Sequence, residues 1–146
     1  FCPSISEVQY QFYNEEIALA NAIGVGIQPF DKEVFYQRTS VLGQEYMGEG
    51  CDVPFDEEWE VGYGTGPFTI QNRYVTEDVP VGCHVYHELG KKFGVPTPII
   101  DSMIVLGGVM NKTDYFESGL KLEDLGIGHM DKEALLAYLN EGIYTE

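Results

Sequence analysis

The segment that most constrains the fold is an apolar stretch that follows the break Gly94-Val95-Pro96. Thr97 with Pro98 at the first helical position favours a helix start. The apolar residues of this stretch are Ile99, Ile100, Met103, Ile104, Val105, Leu106, Val109 and Met110. A helix that is apolar on nearly every face is typical of the centre of a domain. The stretch is shorter than the ~20 residues that span a bilayer, so we predict a central helix of a water-exposed domain.

The remaining pattern also indicates helices. Alternation of the kind that predicts strands does not persist anywhere along the chain, which favours an all-α fold. The segments predicted as helical are residues 4–23, a helix from near Asp31, a helix from Thr76 to about Phe93, a turn at Leu120–Leu125 and a last helix from Asp131 to Glu141. Glycines and prolines between residues 43 and 72 predict a long loop, which is either functional or an insertion.

Charge and cysteine content exclude several classes of partner. The 146 residues are enough for one domain, and the formal net charge is −16, from 24 acidic and 8 basic residues. This charge repels phosphate backbones and anionic lipid surfaces. The three cysteines, Cys2, Cys51 and Cys83, lack the spacing of zinc or redox pairs, which favours a reduced, cytoplasmic protein. We expect neither nucleic-acid nor membrane partners.

The segment from Arg73 to Pro80 carries the chemistry-bearing residues. Arg73, Thr76, Glu77 and Asp78 place a cation, a hydroxyl and two carboxylates within six residues. An arginine binds a carboxylate through two parallel hydrogen bonds. The same residues also suit an ordinary helix start, with Thr76 as the N-cap and acidic residues in the first turn. The local pattern alone favours the second interpretation.

The resemblance to a known family favours the first. The segment Arg73–Pro80, the later Gly94–Asp101, the opening Pro3-Ser4-Ile5 with residues 14–25, and Leu120–Gly126 together resemble the C-terminal helical domain of the opine dehydrogenase family (octopine and nopaline dehydrogenases). The resemblance implies an all-α domain like the C-terminal domain of 6-phosphogluconate dehydrogenase. It also implies that Arg73 and Thr76 bind substrate and that Asp78 is catalytic, as partner of a histidine that lies upstream of this chain.

The activity that this resemblance implies is NAD- or NADP-dependent reductive condensation of an amino acid with a 2-oxo acid. The nucleotide would be bound by a Rossmann domain that this sequence lacks, since Gly62-Tyr63-Gly64-Thr65-Gly66 has the wrong spacing for a dinucleotide fingerprint. We therefore expect an inactive fragment of one helical domain, residues 1–146, without cofactor. A homodimer is compatible with the sequence. The alternatives are a non-catalytic helical interaction domain and a 2-hydroxy acid dehydrogenase.

Other polar residues have two interpretations each. Cys83, His84, His87 and Glu88 have the spacing of metal ligands on a helix, but we favour ordinary helix residues and predict no metal site. Asp101 lies in the first turn of the central helix, so it either has a partner or is favoured there by the helix dipole. The polar run Asn14-Glu15-Glu16 faces either an interdomain cleft or solvent.

Overall fold

The computed structural model of the protein describes residues 3–35 and 68–144, and within these ranges every regular element is helical. The elements are α1 Pro3–Ile23, α2 Lys32–Phe35, α3 Arg73–Thr76, a π-helical segment Val79–Cys83, α4 His84–Phe93, α5 Pro98–Asn111, α6 Tyr115–Ser118 and α7 Lys132–Glu141. The predicted all-α class is confirmed. The turn at 120–125 and the last helix also lie where they were expected, whereas α6 was not foreseen.

The chain divides into two compact units, and the smaller one is built on aromatic residues. Its described part comprises residues 3–14 and 28–35. Phe35 of α2 is buried and stacks on Tyr13 with ring centroids 4.9 Å apart. The hydroxyl of Tyr13 accepts a hydrogen bond of 2.7 Å from the amide of Phe30. The short helix α2 is thereby held by packing, since four residues are too few for a helix to be stable by itself.

The larger unit holds the main apolar core. Its described part comprises residues 15–27 and 68–144. Ile23 at the end of α1, Met130 and Leu135 of α7 are buried together, and Leu89 and Phe93 of α4 pack against them. The C-terminal end of α4 is closed by Gly94 at φ 71°, a conformation that glycine adopts without a steric penalty. The core therefore joins helices from both ends of the sequence.

The start of α5 is capped by a residue that is distant in sequence. Pro98 occupies the first turn as predicted, but the side chain of Thr97 makes no capping hydrogen bond to the helix backbone. Instead, the two carboxylate oxygens of Glu15 accept hydrogen bonds from the amides of Ile99 (2.8 Å) and Ile100 (3.0 Å). A carboxylate at this position satisfies free amides and lies favourably in the helix dipole. Glu15 is thus a structural residue.

The prediction that α5 lies in the centre of the domain is right for one face and wrong for the other. Ile100 and Ile104 are buried, at 0% and 1% exposure. Val105, Leu106 and Val109 are exposed at 51%, 57% and 72%. The sequence shows that a helix is apolar all round, but it does not show how many neighbours surround it. No helix of the described ranges is long and apolar enough to cross a membrane.

Candidate substrate-binding site

The N-cap of α3 lies four residues before the N-cap that the sequence pattern indicated. Asn72 is its N-cap, and the Asn72 side chain accepts a hydrogen bond of 3.2 Å from the amide of Tyr74. Thr76 is the last residue of α3, and its hydroxyl donates to the carbonyl of Asn72 at 3.2 Å. The predicted N-cap role of Thr76 is therefore wrong. Asparagine is as good a cap as threonine, and Arg73 consequently lies inside a helix.

A π turn follows directly after the candidate catalytic residue. Asp78 is the residue before the π segment Val79–Cys83. The amide of His84 is shared between the carbonyls of Val79, five residues back, and Val81, three residues back, and does not donate to that of Pro80, four residues back. Pro80 has no amide hydrogen to donate, which weakens the regular helical ladder at this point. Single π turns inside helices are frequent at functional sites.

Arg73 and Asp78 are both exposed and open to a ligand. The side chain of neither forms a hydrogen bond or an ion pair with the residues that the structure describes. The guanidinium of Arg73 lies 6.0 Å from the ring centroid of Tyr74, within the range of a cation–π contact. An arginine in such a place keeps its hydrogen-bond donors available. The pair can therefore meet an anionic or polar molecule without first breaking an internal salt bridge.

A half-buried group of titratable side chains lies beside Asp78. Burial raises the pKa of the Cys83 thiol to about 11, and the carboxylates of Glu16 and Asp78 raise it further. Burial also raises the pKa of Tyr86, to about 12, with Glu16 adding to the effect. The pKa of Glu16 is raised by burial, although the hydrogen bond from Tyr86 opposes this. Cys83 is thus a neutral thiol at neutral pH and a poor nucleophile.

His84 is buried against the main chain after α6. The residue is 1% exposed. Its Nδ1 lies 2.9 Å from the carbonyl oxygen of Leu120, and its Nε2 lies 3.2 Å from that of Phe116. A Cβ atom on Gly119 would lie 2.4 Å from Cγ of the imidazole, so only glycine fits there. His84 therefore has partners on both ring nitrogens.

His87 pairs with Asp101, a contact that helical spacing could not reveal. Its Nδ1 is 2.8 Å from Oδ1 of Asp101, and the hydroxyl of Thr97 donates to the same oxygen at 3.0 Å. The ring of Phe116 lies edge-on to His87 with centroids 4.9 Å apart. Asp101 therefore has the partner that its position called for. Within the described ranges, no group of three or more His, Cys, Asp or Glu residues could hold a metal ion.

The N-termini of α5 and α7 do not offer a dinucleotide phosphate site. A pyrophosphate binds at free amides of a helix N-terminus. In α5 the first amides are taken by Glu15. In α7 the side chain of Asp131 accepts from the amide of Ala134 at 2.9 Å. The segment Gly62–Gly66, already rejected as a fingerprint, lies outside the described residues. The residues at the starts of α5 and α7 therefore do not fit a nicotinamide dinucleotide.

Fold and site together define an all-helical domain that exposes an arginine and an aspartate at the start of a π turn. A family model described as the alpha-helical domain of NAD/NADP octopine/nopaline dehydrogenase matches residues 1–111. The chain belongs to this family, whose members are dehydrogenases and thus oxidoreductases. An opine dehydrogenase of Arthrobacter sp. (strain 1C) is 28% identical over 128 residues, which are 86% of this chain and 33% of that protein. The chain spans about a third of the length of this relative.

Proposed function

We propose that this chain is the substrate-binding domain of an NAD(P)-dependent dehydrogenase that reductively condenses an amino acid with a 2-oxo acid. The observation that carries the proposal is the exposure of Arg73 and Asp78, whose side chains have no polar partner among the described residues. Both lie within the part of the chain that matches the family. The nicotinamide would be bound by a further domain, because the N-termini of α5 and α7 are occupied.

Arg73 would bind a substrate carboxylate. Both an amino acid and a 2-oxo acid carry this group, so at least one arginine is needed to hold them. A guanidinium offers two parallel donors, which fixes the orientation of the carboxylate as well as its position. Arg73 lies on α3, whose start is capped by Asn72. The helix therefore holds the backbone of Arg73 in a fixed position. Thr76, one turn further along α3, would line the same site.

Asp78 would act through a histidine that lies outside this chain. Formation and reduction of an imine need a group that exchanges protons with the reacting oxygen and nitrogen, and histidine is suited to this at neutral pH. A carboxylate at one ring nitrogen fixes the tautomer and stabilises the imidazolium. Asp78 is exposed, so such a histidine can reach it. Cys83, a free thiol, fits the reducing cytoplasm as the compartment.

The test is Asp78→Asn in the complete polypeptide whose reading frame contains this chain. The amide cannot stabilise an imidazolium, so we expect kcat to fall by about 10²-fold or more. The matched control is Glu77→Gln, which removes the adjacent exposed carboxylate and should leave kcat within about twofold, as for a surface substitution. Thermal unfolding of both variants should match the parent. Normal turnover of Asp78→Asn with lowered stability would make Asp78 a structural residue.

A further inference from the structure

We propose that His84 is a positioning residue: its imidazole holds the π register of Val79–Cys83 and so sets the direction in which Asp78 points. The structural part of this inference stands on the contacts of His84 alone. Its consequence for catalysis rests on the proposed function of Asp78. His84 itself is buried at 1% exposure and would not touch substrate.

In the π turn, the carbonyl of Pro80 is left without the donor that it would have in an α-helix. In an α-helix the amide of residue 84 would donate to the carbonyl of residue 80. Here the amide of His84 donates to the carbonyls of Val79 and Val81, and the carbonyl of Pro80 accepts instead a hydrogen bond of 2.8 Å from the amide of Leu120. The π turn and the attachment of Leu120 therefore depend on the same carbonyl. In an α-helical register this one carbonyl would have to accept from the amides of both His84 and Leu120, which uses both of its lone pairs.

The side chain of His84 contacts the same turn that carries the amide of Leu120. Its ring nitrogens lie 2.9 Å from the carbonyl of Leu120 and 3.2 Å from that of Phe116. A neutral imidazole carries one N–H and an imidazolium two, so the ring donates to one or both of these carbonyls. Leu120 thus donates to Pro80 and lies within hydrogen-bonding distance of His84. Gly119 allows the ring to lie flat against this turn, because any Cβ there would overlap Cγ and Cδ2 of the imidazole.

The register matters because it fixes angles along the helix. Each residue of an α-helix advances the chain by about 100° around its axis. If the turn of residues 116–120 were released, the amide of His84 could return to the carbonyl of Pro80. One residue fewer would then lie in the turn, and α3 with Asp78 would rotate by about 100° relative to α4. A carboxylate rotated this far could not orient the same partner.

The structural test uses this chain. His84→Leu removes both ring nitrogens, whereas His84→Asn keeps an amide donor close to the position of Nδ1. The readout is hydrogen exchange of the Leu120 amide, followed by NMR. We expect about tenfold faster exchange in His84→Leu, the effect of losing one hydrogen bond, and near-parental exchange in His84→Asn. His129→Asn, at an exposed histidine, is the control and should change nothing. Parental protection of Leu120 in His84→Leu would overturn the proposal.

The kinetic test uses the complete polypeptide. In His84→Leu we expect kcat to fall by about 10²-fold, as for a misplacement on the order of 1 Å, with a smaller change in KM and recovery in His84→Asn. If His84→Leu does not fold, His84→Gln, which loses the donor near Nδ1, replaces it. Normal kcat together with a released Leu120 amide would refute the positioning role. If Asp78→Asn also turns over normally, the proposed function fails, while the exchange of Leu120 still decides whether His84 holds the turn.

Discussion

At Arg73 the effect of the positive charge on substrate binding can be separated from the effect of the planar guanidinium. Lysine keeps the positive charge but loses the planar pair of donors. In the complete polypeptide we expect Arg73→Lys to weaken transition-state binding by about 1.5–3 kcal/mol, the range for a hydrogen bond to a charged group. The loss should appear mainly as a higher KM for one carboxylate substrate.

The comparison for this change is Arg38→Lys, at the other arginine of the chain, which lies outside the described residues and is the second cation that could bind a substrate carboxylate. Steady-state kinetics with both the amino acid and the 2-oxo acid give the measurement. Parental values of KM and kcat in Arg73→Lys for both substrates would show that the guanidinium fork is not used.

Cys83 gives a pH dependence whose sign can be worked out. Burial, followed by Glu16 and Asp78, raises the pKa of the thiol from 9.0 to about 11. A group whose pKa is raised on folding stabilises the fold while it is protonated in both states. That stability is present below pH 9 and is lost as the pH rises towards 11. We expect the urea midpoint to fall over this interval, and to fall less in Cys83→Ser. Equal pH profiles for parent and variant would contradict the burial of the thiol.

At the residue scale the sequence indicated candidate residues for the chemistry but not the contacts of their neighbours. For Asp101 a partner was one of two interpretations, and that partner, His87, 14 residues away on another helix, could not be deduced from spacing. Helical periodicity relates residues three or four apart on one helix. It gives no information about contacts between residues of two different helices. The capping of α5 by Glu15 was not foreseen, because a cap that comes from a distant helix leaves no local pattern.

At the scale of elements, the cap on α5 is the contact with the clearest effect on stability. Removing the carboxylate of Glu15 leaves the partly buried amides of Ile99 and Ile100 without acceptors. We expect Glu15→Ala to lower the free energy of unfolding by about 2 kcal/mol, within the range for hydrogen bonds to a charged group. Glu15→Gln, which keeps one acceptor oxygen, should lose about half as much.

The control on the same helix is Glu7→Ala. Glu7 pairs with Lys32 and both side chains are 49% exposed, so this change should cost no more than about 1 kcal/mol. Urea unfolding of the three variants gives the comparison. If Glu15→Ala costs no more than Glu7→Ala, the amides of α5 have another acceptor.

The helix predicted from Thr76 to about Phe93 shows which helix boundaries local sequence patterns can predict. Its end at Phe93, before Gly94, follows from the preference of glycine for positive φ and was correctly predicted. Its start was not, because Asn72 and Thr76 are both acceptable caps four residues apart and the pattern does not rank them. The π turn was also missed, since it depends on the amide of Leu120, 40 residues further along the chain.

For the whole molecule, the order of helices was predictable and the environment of each was not. The apolar count of α5 indicated a buried helix, but Val105, Leu106 and Val109 are exposed. The apolar composition of a segment indicates how favourable its burial would be. Its actual burial also depends on how many other elements pack against it. The sequence pattern of a single helix does not contain this information.

The last prediction concerns the chain of 146 residues by itself. A dinucleotide needs free helix amides for its pyrophosphate, but Glu15 and Asp131 occupy those of α5 and α7. The net charge of −16 further opposes a ligand that carries phosphates. We therefore expect titration with NADH or NADPH, followed by nicotinamide fluorescence, to show no saturable change, and the chain to catalyse no reduction. Glu15→Ala is the informative variant: if freeing the amides of α5 creates saturable binding, the carboxylate is what keeps a phosphate out. Micromolar binding by the parent chain would contradict the assignment of the nucleotide to a further domain.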